Sequence, residues 1–383
     1  MARRRGRGEG SIYRRGSDGR WVGSLVIPET GKRKSVTGDT RQEVQRKLGV
    51  LQRDIEQGLS AGDGRQTVGQ YLVSWLETVK PTREESTWVT HESYVRVHFI
   101  PVLGRLPLVK LTPQRIQAFY ARLLSEGLSG TTVNHMHGSL HKALDAAVRL
   151  GLVARNAAEL VDVPRMEPHD IHPLNREQAR LFLAAAQGER LEALYTLALA
   201  TGMRQGELLA LHWGDVDLDG GSGRGMLSVR WSLRYYQRTF TVKEPKTRRS
   251  RRRIALAEQT VEALRAHRAR QSRERLKAGA AWVGAAWDDL VFCNEIGAPL
   301  TSNGQVRSTR QRILRHAGLP ETFRFHDLRH TCATLALASN VNPKVVSEML
   351  GHSTVAITLD IYSHVLPDMQ EDAAAAIAAI LYG

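Results

Sequence analysis

The chain has 383 residues, too many for one ordinary hydrophobic core, so two or three domains are expected. Its 42% hydrophobic and 24% charged content excludes a disordered or fibrous protein, and no apolar run approaches the ~20 residues of a membrane helix. A net charge of +15 points to a polyanionic partner, nucleic acid first. The surplus is clustered. Residues 243–277 hold thirteen Lys or Arg against four Glu, and residues 1–60 hold fourteen against seven Asp or Glu. The two cysteines, Cys293 and Cys332, lack CxxC spacing, which argues against a disulfide framework and a zinc site. No apolar segment follows the basic opening "MARRRGRGEGS", so a secretory signal is not expected and the cytoplasm is the default compartment.

In chain order, "SIYRRGSDGRWVGSLVIPETGKRKSVTG" reads as three short strands joined by the turn formers "GSDG" and "PETG". "DTRQEVQRKLGVLQRDIEQG" reads as a helix with Thr40 and Glu43 as a capping box and Val44, Leu48, Leu51 and Ile55 on one apolar stripe. These make a small strand-and-helix domain over residues 1–60, followed by the linker "LSAGDGRQ".

Four helices follow, predicting a helical bundle over residues 67–164. Thr67 and Gln70 open the first helix; the second runs up to Pro101. Thr112 caps the third with Pro113 at its first position, and the fourth ends at Gly151. His135, His137 and His141 on that fourth helix are read as a solvated or DNA-facing surface rather than a metal site, on the expectation that no carboxylate or cysteine joins them. A Pro-rich linker near 164–173 leads to a third domain, 174–383, which Asn175 opens as a helix cap. Helices through Thr201, a strand-rich middle and helices again from about Glu258 predict a mainly α domain with a small antiparallel sheet. The fold class is therefore multidomain α+β.

Four segments of the third domain carry candidate chemistry. "ATGMRQGELLALHW" holds Arg204 and Glu207 at a spacing that puts both on one helix face, with Glu207 suited to steady the guanidinium. "VKEPKTRRSRRRIAL" holds Lys246, with Lys243 three residues earlier. "FRFHDLRHTCATLAL" holds His326 and Arg329, again three apart. "LGHSTVAITLDIYSHV" holds His352, turned out of a helix by Gly351, and Tyr362. Two guanidiniums fit the non-bridging oxygens of a phosphate, a histidine relays a proton near neutral pH, and a lysine can protonate an alkoxide. Positive charge nearby favours a phenolate, so the set suits metal-free attack on a phosphodiester. Taken singly, each residue also fits a bland role: a solvated cation, or a half-buried packing tyrosine. His326 and His330 form H-x-x-x-H, but Asp327 stands where a zinc peptidase needs glutamate.

Taken together, the four segments resemble the tyrosine recombinase family of the phage-integrase type. "TGMRQGELLALHWGDVDL" resembles its first arginine box, "HDLRHTCATLAL" its His-x-x-Arg box, "LGHSTVAITLDIYSHV" its final box and "PKTRRSRRRIAL" its lysine strand, all in family order. The resemblance implies that Arg204 and Arg329 clamp the scissile phosphate and that His326 assists proton removal from Tyr362. It implies Lys246 as general acid, the "PKT" context favouring it over Lys243, His352 as a hydrogen-bond donor to the phosphate, and Tyr362 as the nucleophile forming a 3′-phosphotyrosine. It also implies an arm-type DNA-binding domain at 1–60, with Tyr13, Arg15, Arg20, Trp21 and Lys32 as candidate contacts, and a core-binding domain at 67–164. The implied partners are double-stranded DNA attachment sites, a homo-tetramer on DNA, a directionality factor and a DNA-bending host protein, with no membrane. No cofactor and no obligatory metal are expected. The Ala-rich tail would dock on a neighbouring subunit or on its own domain. A type IB topoisomerase-like nicking-closing enzyme and a non-cutting DNA-binding regulator are the alternative functions.

Overall fold

The structure is a computed structural model that describes residues 10–26, 31, 33–56, 66–166, 172–220, 225–244, 251–362 and 377–382; side chains are described except at 54–56, 361 and 362. The chain divides into two compact units, residues 1–169 and 170–383. Both cysteines are free and buried, and among the described residues no helix is long and apolar enough to cross a membrane.

In the first unit, β1 (Ser11–Arg14), β2 (Trp21–Val26) and β3 (Arg33–Gly38) form an antiparallel sheet in the order β1-β2-β3. The first turn closes with Arg15 N–H donating to Arg20 O at 2.7 Å. Helix α1 (Arg41–Glu56) packs on the sheet through Val44 and Leu48, which leave room at Gly23 for nothing larger than a hydrogen. The cap differs from expectation by one residue. Glu43 N–H donates to Thr40 Oγ1 (3.2 Å), but the Glu43 carboxylate reaches past the cap to Asp39 N–H (3.1 Å).

Helices α2 (Val68–Val79), α3 (Glu85–Ser93), α4 (Ile100–Leu103), α5 (Pro113–Ser125) and α6 (Gly130–Arg149) form the helical part of this unit. Thr67 and Gln70 make a reciprocal capping box, Thr112 accepts from Arg115 N–H, and Gly151 takes φ +65° after α6. Pro101 does not end its helix. A π turn over Tyr94–Phe99 joins α3 to α4, with Ile100 N–H donating to Val95 O, five residues back. Widening the turn lets a residue without an N–H be passed without a break. Tyr71 Oη donates to Ala143 O at 2.5 Å, tying α2 to α6 across the core.

The histidines of α6 form the expected solvated or DNA-facing surface only in part. His135 is exposed, but His137 Nδ1 bonds to the Tyr120 hydroxyl (3.1 Å) and His141 lies 3.4 Å from Asp145. Glu159, from the far side of the next loop, comes within 4.8 Å of that pair. Carboxylates do join His141, brought there by the fold and by the next helical turn. One Asp145 oxygen is already taken by Asn156 Nδ2 at 2.7 Å, so the group braces the loop.

In the second unit, α7 (Arg176–Ala186) starts with the Asn175–Gln178 capping box. Helix α8 (Glu192–Thr201) is buried along most of its length, Leu194, Tyr195 and Leu197 being 0% exposed, with Ala200 at the surface. Burial of each such side chain contributes about 1.5–3 kcal/mol. Helix α9 (Gln205–Leu209) follows after a left-handed Gly202, φ +62°. The strand region holds two sheets rather than one. β4 (Val216–Asp217), β5 (Gly225–Val229) and β8 (Arg252–Leu256) are antiparallel in the order β4-β5-β8, and β6 (Ser232–Tyr236) pairs with β7 (Thr239–Lys243) as a separate hairpin. The continuous "MLSVRWSLRYY" is broken at Arg230–Trp231, and the hairpin turns on Gln237 and Arg238, both at positive φ. Helices α10 (Glu258–Ala278), α11 (Gln305–His316), α12 (Phe325–Ala338), α13 (Pro343–Leu350) and α14 (Val355–Tyr362) complete the unit. Residues 377–382 are helical, with Ile380 and Tyr382 exposed.

Candidate active site

Three chain reversals bring the site together. Gly202 ends α8 in the left-handed region and delivers Arg204 to the start of α9. Arg324 opens α12, which carries His326 and Arg329. Gly351, φ +69°, ends α13, with His352 N–H donating back to Ser347 O at 3.0 Å, and the chain then enters α14.

The two helix starts share a device. Glu207, in the first turn of α9, accepts from Arg204 N–H (2.9 Å) and from Arg204 Nη1 (2.9 Å). Asp327, in the first turn of α12, accepts from Arg324 N–H (2.7 Å) and from Arg324 Nη2 (2.9 Å). A carboxylate there satisfies an orphan backbone donor and complements the helix dipole.

The guanidiniums cross-link the boxes. Arg329 Nη1 donates to Gly202 O (2.7 Å), and Arg204 Nη2 donates to Gly351 O (3.3 Å). Arg252, on β8, grips both Glu207 oxygens (2.9 and 3.3 Å) and donates from Nε to Met349 O (2.5 Å). Burial alone would raise the Glu207 pKa, but Arg252 foremost and then Arg204 outweigh it and hold the carboxyl below its ordinary range. Arg329 is only 3% exposed, so its charge acts from a floor where little water screens it.

Both histidines of the site are held neutral near pH 7. The His326 ring is open to solvent on one side, yet burial of the remainder and the Arg329 charge lower its pKa. His352 is pushed down to about 4 by burial, then by Arg329, Arg204, His330 and Arg252. A neutral imidazole can accept a proton at one nitrogen and donate a hydrogen bond from the other.

Of the sequence-derived candidates, Arg204, Glu207, His326, Arg329 and His352 are thus brought together. Tyr362 is the last residue of α14, and its side chain lies outside the described residues, as does all of Lys246. Lys243 ends β7 and pairs in register with Ser232. The first-unit candidates do not share a surface. Tyr13 pairs with Val22 in register, so strand alternation puts Tyr13 and Trp21 on opposite faces, Trp21 on the α1 side with Gly23. Arg15 and Arg20 sit at the first turn beside Asp18 and Asp39 (3.2 and 3.5 Å), and Lys32 is outside the described residues.

Residues 165–369 match the model of the phage integrase family, and residues 67–124 match the phage integrase N-terminal SAM-like domain. The chain belongs to the phage integrase family. It is 31% identical over 360 residues to a tyrosine recombinase XerC-like protein of Caldanaerobacter subterraneus subsp. tengcongensis, covering 90% of this chain and 92% of the relative. It is 32% identical to an integrase of Streptomyces ambofaciens, with 94% of each chain covered. In fold it is similar to the Tn1549 transposon integrase in complex with a circular intermediate DNA, with a TM-score of 0.69 at 23% identity over 82% of this chain and 100% of that one. It also resembles a lambda integrase tetramer bound to a Holliday junction, with a TM-score of 0.56 at 20% identity over 90% and 95% of the two chains.

Two residues of this site, Arg252 and Thr358, have no place among the sequence-derived candidates, and His330 enters there only as half of an H-x-x-x-H pair. Arg252 was hidden in a run of arginines. A period of two places it with Ile254 and Leu256 on the inward face of β8, and that pattern was the available signal. His330 lies edge-on to His326 at 4.9 Å, 8% exposed and with its pKa lowered to about 4. Beside Arg252, a cavity of about 370 Å³ is lined by Ser228, Arg230, Trp231, Arg251, Arg253 and Glu244, the last paired with Arg251.

Proposed function

We propose that the site cleaves and rejoins DNA through a 3′-phosphotyrosine formed by Tyr362, and that the chain integrates or excises a mobile element. One observation carries the reading: Arg204 and Arg329 each donate to a carbonyl of another box, so the two guanidiniums and His352 converge on one place. A phosphodiester seated there meets forked donors held by Glu207 and Gly202, that of Arg329 already desolvated, and both need little reorganisation. Tyr362 Oη attacks phosphorus as its proton passes to His326, which burial and Arg329 hold in the proton-accepting form. The P–O5′ bond breaks, and Lys246 gives the leaving oxygen its proton. His352 donates a hydrogen bond to the phosphate. A 5′-hydroxyl of a partner duplex then reverses the step. Each ester replaces one of similar energy, so the exchange needs no nucleotide hydrolysis.

Residues 1–60, 67–164 and 174–383 are read as arm-binding, core-binding and catalytic regions. The basic stretch 243–277 and the cavity arginines beside Arg252 fit phosphate contacts, which position without reading sequence. The tetramer described for lambda integrase on a Holliday junction supports the same assembly here. The test is a nicked duplex taken from the ends of the encoding element. The wild type is expected to be trapped covalently at the 3′ side of the break, and Tyr362→Phe is not. Equal trapping by both proteins would refute the assignment of the nucleophile.

A further inference from the structure

His352 Nδ1 lies 2.8 Å from the hydroxyl of Thr358, a residue on α14 that is 0% exposed. The contact can run in either direction. If Nδ1–H donates, Nε2 keeps a lone pair and repels a phosphate oxygen; if the hydroxyl donates, Nε2 carries the proton and can bond that oxygen.

The surroundings decide the direction. Among the described residues, the ring nitrogen is the only partner of the Thr358 hydroxyl. The Thr354 carbonyl, one turn earlier and the usual acceptor for a helical threonine, accepts from Ser347 Oγ at 3.4 Å instead. Among the described residues no second acceptor is hydrogen-bonded to this hydroxyl, so a hydroxyl that accepted from Nδ1 would strand its own proton there. An unmade buried donor costs more than an unfilled lone pair, so the hydroxyl must donate to Nδ1. Charge does not compete with this choice. Burial first, and then Arg329 on α12, Arg204 ahead of α9, His330 on α12 and Arg252 on β8, keep the His352 ring neutral. What Nε2 offers an anion is therefore set by the tautomer.

We propose that Thr358 is a positioning residue for the recombination reaction: its buried hydroxyl fixes His352 as the Nε2–H tautomer and ties the imidazole to the helix that carries Tyr362. Thr358 and Tyr362 are four residues apart on α14, so the same helix face that orients the histidine also leads to the nucleophile. A shift of α14 would then alter the donor and the nucleophile together. The inference rests on the reading of His352 as a donor to the phosphate.

Long-range proton–nitrogen correlation spectra of the ¹⁵N-histidine-labelled full-length protein at neutral pH test it, with His352 assigned by its loss in His352→Asn. The expected result is a protonated Nε2 and a bare Nδ1 in the wild type; the opposite tautomer overturns the proposal. Thr358→Val keeps the shape and deletes the donor. It is expected to lose the single tautomer and to slow single-turnover cleavage of the nicked duplex roughly tenfold to a hundredfold, with DNA affinity unchanged. Thr358→Ser is expected to restore both. A valine variant that cleaves at the wild-type rate, or a serine variant that rescues neither property, counts against the proposal. Failure of the wild type to form any covalent complex would instead refute the catalytic reading, and the spectra would still report the Thr358 contact.

Discussion

Removing the Glu207 carboxylate should unfasten the site and weaken the second unit at once. The carboxylate is 3% exposed and accepts from Arg204 N–H, Arg204 Nη1 and both terminal nitrogens of Arg252, whose side chain is only 6% exposed. Glu207→Ala strands the Arg252 charge in the interior, and breaking a buried pair in this way costs about 3–5 kcal/mol. Arg204 is 41% exposed and rehydrates, so it adds little to that loss. At about 2–4 °C per kcal/mol for a domain of this size, melting should fall by roughly 6–20 °C. Glu207→Gln keeps the shape without the charge and should fall between. Cleavage should drop in both, because Arg204 loses its tether to the start of α9. Calorimetry of the full chain and single-turnover cleavage below the lowered melting point measure the two effects separately. The reasoning is refuted if Glu207→Ala melts within about 1 °C of the wild type. A Glu207→Met/Arg252→Met double variant should recover much of the loss, because it buries no lone charge.

The pH dependence of stability should follow the buried histidines. His267 is 3% exposed and His330 is 8% exposed, and both have pKa values lowered to about 4, by burial first. An unfolded histidine titrates near 6.5, so between about pH 6.5 and 4 the unfolded chain binds more protons and stability falls as pH falls. The loss reaches about 3 kcal/mol for His267 by pH 4, and melts from pH 7.5 to 4.5 should show it; His267→Gln should flatten the slope, and a flat wild-type profile over that window would contradict it. Gly202→Ala should destabilise the second unit by about 1–3 kcal/mol and slow cleavage, because its φ is +62° and a Cβ there would sit 2.4 Å from Leu350 Cδ2. Equal melting of this variant and the wild type would show that the α8–α9 reversal is not tightly held.

Much of the site was legible because its boxes are local. Arg204 with Glu207 and His326 with Arg329 are three apart, and Gly351 marks its own helix end, so caps and periods within about one turn reveal them. The helix starts at Thr67, Thr112 and Asn175 were legible for the same reason. Pro101 misled because a π turn elsewhere in the same helix absorbed it. The α6 histidines misled because the i,i+4 spacing of His141 and Asp145 went unused and Glu159 approaches only through the fold.

By itself, then, the sequence determined which chemical groups the chain carries, their order, and the local frames that present them, since those depend on contacts within a turn or two. The tertiary structure alone decided that Arg252 reaches Glu207 across 45 residues and Arg329 reaches Gly202 across 127. It also decided which candidate DNA contacts of the first sheet face the same way. The physical reason is that a buried ion pair exists only where packing has removed the water, and no spacing along the chain encodes which strand or helix will lie opposite.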